Sequence, residues 1–279
     1  MTELVFLKLG GSLITDKTQP YAVRLDKLSS LIKEIHSALS STPNLRLVLG
    51  HGSGSFGHYA VKEHLTPHQL PPNSLSFGEE SQRGKGGYWR GFAEVWYRAS
   101  QLNRYVIEAL HEADVPAMAI QPSACIVSKN GVIENWELSP LESALKAGIV
   151  PVIYGDMAFD AVKGGAVLST EVLMFYLAHR LQPKRILLAG MEAAIWADFP
   201  ARLQRVEKVT PSSYTELASK VGGSHGVDVT GGMKSKVEEM LSLVQQIPNL
   251  NAQIFSGEES GNIQHALNGA VLGTLIARD

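Results

Sequence analysis

The feature that most restricts the fold of this sequence is the regular alternation of short apolar runs with longer amphipathic stretches. Strands are predicted for VFLKL (5–9), LRLVL (45–49), PAMAI (116–120), VPVIYG (150–155), RILLAG (185–190), AQIFSG (252–257) and GTLIA (273–277). Helices are predicted over residues 25–41, 90–113, 169–181, 234–247 and 260–268. Nearly continuous apolar strands separated by helices are typical of a mostly parallel sheet covered on both faces. The sequence therefore predicts an α/β protein with a mostly parallel sheet.

Two segments depart from this alternation. In CIVSKNGVIENW, Asn130-Gly131 lies between two alternating runs, which predicts a β-hairpin, and we expect it to form a flap over the N-terminal half. Residues 65–87 contain Pro, Gly and polar residues without periodicity. A stretch of that length is either a lid over a site or a plain surface loop.

Charge and cysteine content exclude several classes of function. The 279 residues carry a formal net charge of −2, which gives no general attraction to nucleic acid or to an anionic membrane. The single cysteine, Cys125, cannot form an intramolecular disulfide and favours a reducing compartment. No run approaches the roughly 20 apolar residues that span a bilayer. We expect a cytoplasmic protein that acts on a small molecule.

Three glycine-rich loops each lie beside a predicted strand or helix. They are Gly10-Gly11-Ser12 after the first strand, GHGSGSFGH (50–58) after the second, and DVTGGM (228–233) before the helix at 234–247. Glycine lets backbone N–H groups approach an anion closely, and the carboxyl ends of parallel strands meet at one edge of a sheet. The three loops together predict a phosphate-binding site at that edge.

The best-known alternatives for such a loop fail on spacing. Gly52-x-Gly54-x-x-Gly57 matches a dinucleotide fingerprint, which requires an acidic residue at the end of a strand about 20 residues later. The acids near that position, Glu79 and Glu80, lie in the aperiodic stretch and not on a predicted strand. An NAD-dependent oxidoreductase is therefore disfavoured. Neither a Walker loop nor the protein-kinase motifs occur, and no HExxH motif or cysteine cluster predicts a metal site built from side chains.

Several motifs resemble those of the amino acid kinase superfamily. They are KLGGSLIT (8–15), DVTGGMKSK (228–236) and GAVLGTLIA (269–277), and the histidine that ends GHGSGSFGH is similar to that of isopentenyl phosphate kinases and their fosfomycin kinase relatives, as is YGDMAFD (154–160). The resemblance implies the amino acid kinase fold, an open αβα sandwich, usually as a homodimer. It also implies transfer of the γ-phosphoryl group of ATP, with Mg²⁺, to an acidic oxygen.

The resemblance implies a role for each matching residue. Lys8, Lys17 and Lys236 would hold the transferring phosphoryl group, and an acid at Glu171 would orient the lysines. The residues expected to bind ATP are Lys8, Gly10, Gly11, Ser12, Gly54, Gly231, Gly232 and Lys236. In relatives the segment matching Ser169-Thr170-Glu171 is S-G-D, and LLAGMEAAIW (187–196) replaces a segment with two acids, so the contacts to base and ribose are left open.

The acceptor side is predicted from the chemistry of a phosphate monoester. Its second pKa lies near ~6, so it is already a dianion at neutral pH and needs a hydrogen-bond donor rather than a base. His58 is the predicted donor, and the backbone of Ser53 and Gly54 would separate donor and acceptor phosphates. The resemblance of YGDMAFD (154–160) further implies that Gly155 and Asp156 belong to the acceptor site. For the hydrocarbon tail, Trp89, Phe92 and Trp96 share one helical face, although such a stripe is equally compatible with core packing.

Together these patterns predict ATP-dependent phosphorylation of isopentenyl phosphate to isopentenyl diphosphate. We expect one amino acid kinase domain over residues 1–279, with residues 1–165 binding the acceptor and residues 166–279 binding the nucleotide. Two alternatives remain open at this point. One is a kinase for another small acidic acceptor (fosfomycin-like, acyl or carbamoyl), and the other is a non-catalytic nucleotide-binding module of the same fold.

Overall fold

The computed structural model describes residues 3–65, 82–198, 201–217 and 232–279, with residues 82–86 and 215–217 described by their backbone alone. Its largest feature is an eight-stranded sheet with the order β14-β16-β15-β11-β1-β4-β8-β5. These strands are β1 (Glu3–Leu9), β4 (Leu45–His51), β5 (Ala117–Ala119), β8 (Val150–Tyr154), β11 (Arg185–Gly190), β14 (Lys208–Val209), β15 (Asn251–Ser256) and β16 (Thr274–Ile276). All neighbouring pairs are parallel except β15 with β16. All seven predicted strands belong to this sheet.

The central strands are apolar on both faces because each face is covered by helices. In β1, Phe6 packs into one apolar cluster, and Val5 and Leu7, its neighbours along the strand, pack into the other. The helices of the structure are α1 (Gly11–Ile14), α2 (Leu25–Ser41), α3 (Gly54–His64), α4 (Gln82–Glu112), α5 (Pro122–Cys125), α6 (Ser139–Ala147), α7 (Thr170–Leu181), α8 (Pro211–Leu217), α9 (Gly232–Gln246) and α10 (Asn262–Leu267). Helices α2, α4 and α10 contribute to the cluster of Val5, and α6, α7 and α9 to that of Phe6. The predicted αβα sandwich is confirmed.

A second sheet of four strands carries the predicted hairpin. Its order is β10-β9-β6-β7, with β6 (Ile126–Lys129), β7 (Val132–Trp136), β9 (Asp156–Asp160) and β10 (Gly164–Leu168). The turn between β6 and β7 is Asn130-Gly131, and both residues have positive φ (54° and 81°), as such a two-residue hairpin turn requires. Asp160 accepts hydrogen bonds from the backbone N–H groups of Asn130 and Gly131. These bonds fix the hairpin to the neighbouring strand.

Two short strand pairs complete the sheets: β2 (Thr15–Asp16) with β3 (Ala22–Val23), and β12 (Ile195–Trp196) with β13 (Arg205–Val206). Of the predicted helices, the one over 25–41 has the predicted bounds, whereas α4 begins at Gln82 rather than at 90. Helices α3 and α6 were not predicted. Most of the predicted lid, residues 66–81, lies outside the described residues. Within the described ranges, no helix combines the length and apolar character needed to cross a bilayer.

Candidate active site

A cleft opens at the carboxyl edge of the parallel strands, where the loops after β1, β4 and β10 meet helix α9. Twelve of the residues predicted from the sequence line it: Lys8, Gly10, Gly11, Ser12, Lys17, Ser53, Gly54, His58, Gly155, Asp156, Glu171 and Lys236. Most of the predicted site residues are therefore neighbours in space. Their chemical roles remain predictions.

A buried carboxylate between two lysines forms the charged end of the cleft. Lys8, near the end of β1, donates a hydrogen bond to Glu171, and the Nζ atom of Lys236 lies 4.0 Å from the same carboxylate oxygen. Burial alone would raise the pKa of Glu171, but the two lysines outweigh it and hold that pKa below its usual value. Burial, together with nearby Glu171, raises the pKa of a second carboxyl, Glu239, to about 7, so near neutral pH the two ammonium groups still outnumber the ionised carboxylates, which suits the binding of phosphate.

Helix α7 places Glu171 toward the lysines. The helix begins after Ser169, whose hydroxyl accepts a hydrogen bond from the backbone N–H of Val172 at 3.1 Å. Such a cap fixes the first turn, in which Thr170 and Glu171 are both buried. The Thr170 hydroxyl donates to the carbonyl of His51 at 2.6 Å, which ties this turn to the end of β4.

The first two glycine loops pack directly against each other. A Cβ atom on Gly11 would lie 2.4 Å from the backbone nitrogen of Gly54, and one on Gly52 would lie 2.8 Å from that of Gly11. Thr15 braces this contact, since its hydroxyl donates to the carbonyl of Gly11 at 2.7 Å and accepts from the N–H of Ser55 at 2.9 Å. Glycine is thus required here for close backbone approach, a constraint separate from any phosphate contact.

The second glycine loop is in large part a helix rather than a loop. Helix α3 begins at Gly54, which has a φ of +51°, and runs to His64. His58 lies one turn inside it, partly exposed and lining the cleft. Free N–H groups and the helix dipole at a helix N-terminus favour an anion. The structure therefore places His58 and the start of an 11-residue helix beside the same space.

The turn at Gly155 and Asp156 also lines the cleft. Asp156 is buried and accepts hydrogen bonds from the N–H groups of Met157 at 2.8 Å and Ser123 at 3.3 Å. Burial raises the pKa of Asp156 to about 6, although these hydrogen bonds oppose the shift. The N–H of Gly155 donates to the carbonyl of His51 at 3.3 Å.

The structure does not place the predicted aromatic residues at the cleft. Trp89 and Phe92 pack on Phe159 of β9, with ring centroids 6.1 Å and 5.0 Å away, and Trp96 packs against the same small apolar cluster. The second sheet covers this part of α4, and a Cβ atom on Gly165 would lie 2.8 Å from the ring of Phe92. The apolar lining of the cleft instead includes Val61, Val95, Ala99, Val167 and Leu168. Periodicity identified the buried face of the helix but could not identify its partner.

Two further predictions concern the third glycine loop and metal ions. Gly231 lies outside the described residues, and Gly232, with a φ of +72°, is the buried first residue of α9 and is not among the residues that line the cleft. Across the described ranges, no group of three His, Cys, Asp or Glu side chains is arranged to hold a metal ion.

Sequence reasoning missed the residues that hold the loops in position. Thr15, Thr170 and Asn103 make buried hydrogen bonds between segments far apart in the chain, and those of Thr170 and Asn103 are to His51. Nothing local in the sequence marks them, since single Thr and Asn residues are common in every kind of element.

The chain is similar to known proteins in both sequence and structure. Residues 3–256 match the model of the amino acid kinase family. The chain is 31% identical over 277 residues to the isopentenyl phosphate kinase of Methanocaldococcus jannaschii and, over the same length, to that of Methanothermobacter thermautotrophicus, covering 98% of both chains in each case. A solved structure of an isopentenyl phosphate kinase superposes with a TM-score of 0.79 at 29% identity, covering 99% of this chain and 100% of the other.

Proposed function

The chain belongs to the amino acid kinase family and, within it, to the isopentenyl phosphate kinases, and from that premise we propose that it transfers the γ-phosphoryl group of ATP to isopentenyl phosphate. The products are isopentenyl diphosphate and ADP. The resemblance stated from the motifs is confirmed by the family match and by the 31% identity over nearly the whole chain. The observation that carries the proposal is the cleft itself, in which the Lys8–Glu171–Lys236 cluster and the start of helix α3 face the same space.

The reaction needs positioning and positive charge more than acid–base chemistry. An oxygen of the acceptor phosphate attacks the γ-phosphorus of ATP while the bond from that phosphorus to the β,γ-bridging oxygen breaks, and ADP leaves with the bond's electrons. The acceptor oxygen is already ionised, so no proton has to be removed. We assign Lys8 and Lys236 to the transferring phosphoryl group, because their charges lie at the carboxyl edge of the sheet where the glycine loops meet. Lys17, which also lines the cleft, is assigned to the same group.

Glu171 keeps Lys8 and Lys236 close together in the cleft. The ammonium groups of buried Lys8 and partly exposed Lys236 would repel each other, and the shared carboxylate holds them together before substrate binds. Preorganised charge of this kind acts on the transition state without the cost of rearrangement. We assign Glu171 to orienting the lysines.

The acceptor phosphate is assigned to the N-terminus of α3. His58 would donate a hydrogen bond to it, and the backbone N–H groups at Ser53 and Gly54 would lie between the two phosphates. The isopentenyl tail then points along Val61, Val95 and Ala99, which supply the apolar lining on α3 and α4. Burying a five-carbon tail there contributes about 0.8 kcal/mol per CH₂.

Mg²⁺ is part of the proposal as an ion carried by the nucleotide. Mg²⁺ retains several waters and is commonly bound through substrate phosphates rather than by a cage of protein ligands. This mode fits the described residues, which contain no cluster of three metal-ligating side chains. Its contribution would be to neutralise charge that develops on the β- and γ-phosphate oxygens.

Three broader features belong to the same proposal. Residues 1–165 contribute α3 and α4 and are assigned to the acceptor, whereas residues 166–279 contribute α7 and α9 and are assigned to the nucleotide. A homodimer is implied by the resemblance and is testable by analytical ultracentrifugation. A reducing, cytoplasmic location is supported by the single cysteine, because Cys125 has no second cysteine in the chain with which to form a disulfide.

The test is an ADP-release assay against a panel of small monophosphates and carboxylates. Isopentenyl phosphate is expected to give the highest kcat/KM, with isopentenyl diphosphate identified by mass spectrometry, and Lys236→Ala is expected to abolish the signal. A carboxylate preferred over every alkyl phosphate would assign the chain to another acidic acceptor. ATP binding without acceptor-dependent ADP release would identify a non-catalytic nucleotide-binding module.

A further inference from the structure

His51, the last residue of β4, is fully buried and has no part in the chemistry proposed above. Its Nδ1 is 3.1 Å from the carbonyl oxygen of Gly52, which can only accept, so Nδ1 carries the ring proton. Its Nε2 is 3.1 Å from the amide nitrogen of Asn103 and accepts a hydrogen bond from it. The partners thus assign one neutral tautomer. Burial lowers the pKa of His51 to about 4, with nearby Lys8 adding to the shift and the Gly52 bond opposing it.

The backbone and ring of His51 join three parts of the cleft. Its carbonyl accepts hydrogen bonds from the hydroxyl of Thr170 at 2.6 Å and from the N–H of Gly155 at 3.3 Å. Its ring stacks on Tyr154 of the neighbouring strand, with centroids 5.4 Å apart and planes 8° from parallel. The residue is therefore held on several sides and cannot shift without moving a loop.

Asn103 extends this connection to the apolar end of the cleft. It lies on α4 four residues after Ala99 and eight after Val95, so the three share one helical face. Val95 and Ala99 line the cleft, and Asn103 is buried one turn further along. The helix that would contact the acceptor tail is thereby hydrogen-bonded, through His51, to the loop that would hold the acceptor phosphate.

We infer that the chain of hydrogen bonds Asn103–His51–Gly52 fixes the distance between the apolar lining on α4 and the phosphate-binding loop. His51 and Asn103 are then positioning residues that determine which tail length places the acceptor phosphate in line with ATP. The physical reason is that an error of about 1 Å in the approach of two reacting groups costs up to ~100-fold in rate. This inference rests on the proposed function, because it needs an acceptor with a phosphate at one end and an apolar tail at the other.

The main test replaces Asn103 by leucine, which has a similar volume but no donor. We expect Asn103→Leu to lower kcat/KM for isopentenyl phosphate about 10-fold, the effect of one lost buried hydrogen bond. The decrease in kcat/KM for a ten-carbon prenyl phosphate should be smaller, so the ratio of the kcat/KM values for the two acceptors changes. The KM for ATP should remain within about twofold of the wild-type value. The matched control is Gln101→Leu on the same helix, where the amide contacts Arg98 and not the cleft.

Two further variants separate positioning from general loss of packing. Asn103→Asp replaces the donor by a group that can only accept, so Nε2 must now carry a proton while Nδ1 still donates to Gly52. The ring is then favoured as a cation close to Lys8 and stacked on Tyr154, the groups facing it from β1 and β8. The bond between residue 103 and Nε2 then forms only when the ring is protonated, so the kcat of Asn103→Asp should rise as the pH is lowered from about 8 to 6, a dependence that Asn103→Leu lacks. Asn103→Ser, which is smaller, repeats the selectivity test if the leucine variant does not fold.

The outcomes are distinguishable. The inference would be overturned if Asn103→Leu left the ratio of the kcat/KM values for the two acceptors unchanged, or if Gln101→Leu lowered kcat/KM equally. Either result would show that the hydrogen bond between Asn103 and His51 serves only core packing. A wild-type protein that phosphorylates neither prenyl phosphate would instead refute the proposed function. A changed ratio together with the new pH dependence of Asn103→Asp supports the inference.

Discussion

Replacement of Glu171 by glutamine tests the charge arrangement of the cleft most directly. The substitution keeps the size of the side chain and its acceptor oxygen but removes the negative charge shared by Lys8 and Lys236. Lys8 is 7% exposed and Glu171 5%, so the pair is largely removed from solvent screening. Removing one partner of a buried pair costs about 3–5 kcal/mol, against about 0–1 kcal/mol for an exposed one.

The expected result is a loss of stability that nucleotide reverses. At the size of this chain, about 3 kcal/mol or more corresponds to a decrease in Tm of roughly 6 °C or more. ATP supplies the missing negative charge, so it should bind at least as tightly as to the wild type and restore most of the lost Tm. The kcat should fall about 100-fold, because the lysines are no longer held in position.

The pH dependence follows from the lowered pKa of Glu171. A carboxyl whose folded pKa lies below its unfolded value near ~4.3 stabilises the fold above that value and loses this stabilisation as the pH falls through the folded pKa. The difference in stability between wild type and Glu171→Gln should therefore be full at pH 7 and shrink below about pH 4.5.

The assay is thermal unfolding with and without ATP, combined with steady-state kinetics. Glu171→Asp, which keeps the charge on a shorter side chain, should recover part of the activity. The matched control is Glu34→Gln, a buried carboxylate that accepts hydrogen bonds from the N–H groups of Gly261 and Ile263, away from the cleft. It should lower Tm with little change in kcat. Unchanged stability and activity in Glu171→Gln, or a loss of Tm that ATP does not restore, would refute the reasoning.

Four further predictions follow from the cleft. Lys236→Ala should lower kcat by about 100-fold or more, with Lys234→Ala as the neighbouring control at near wild-type kcat. His58→Ala should raise the KM for the acceptor while ATP binding, measured by calorimetry, stays nearly unchanged; lost ATP affinity instead would reverse the assignment of the two sides. Ala99→Leu should exclude isopentenyl phosphate by overpacking worth about 1–3 kcal/mol, seen as a lower kcat/KM without a matching loss of Tm. Because the pKa of Asp156 is raised to about 6, the folded protein binds more protons at this residue than the unfolded chain does between about pH 4 and 6. As the pH falls through this range, the free energy of unfolding of the wild type, measured in urea, should therefore rise relative to that of Asp156→Asn.

Strands, helices and turns that are specified by a short stretch of sequence could be predicted without the structure. The strand RILLAG has the predicted bounds 185–190 and helix α2 has the predicted bounds 25–41, because an apolar run or a helical period of adequate length needs no distant information. The turn Asn130-Gly131 is set by the tolerance of both residues for positive φ. Helix α3 was missed because glycine-rich GSFG has low helix propensity. Its packing against α4 and against the first loop, where the N–H of Ser55 donates to Thr15, overrides that preference.

The packing partner of each residue depends on the tertiary fold. Lys8 and Glu171 are 163 residues apart in sequence, and the family resemblance, not any local pattern, suggested that they act together. The aromatic stripe of α4 shows the same limit, since its period shows that Trp89 and Phe92 face inward but not that β9 covers them and leaves the cleft to Val95 and Ala99. The hydrogen bond between Asn103 and His51 has no sequence signal at all. Local periodicity reports which residues are buried, whereas the partner of each buried group is fixed by strand order and crossover packing, which depend on the whole chain at once.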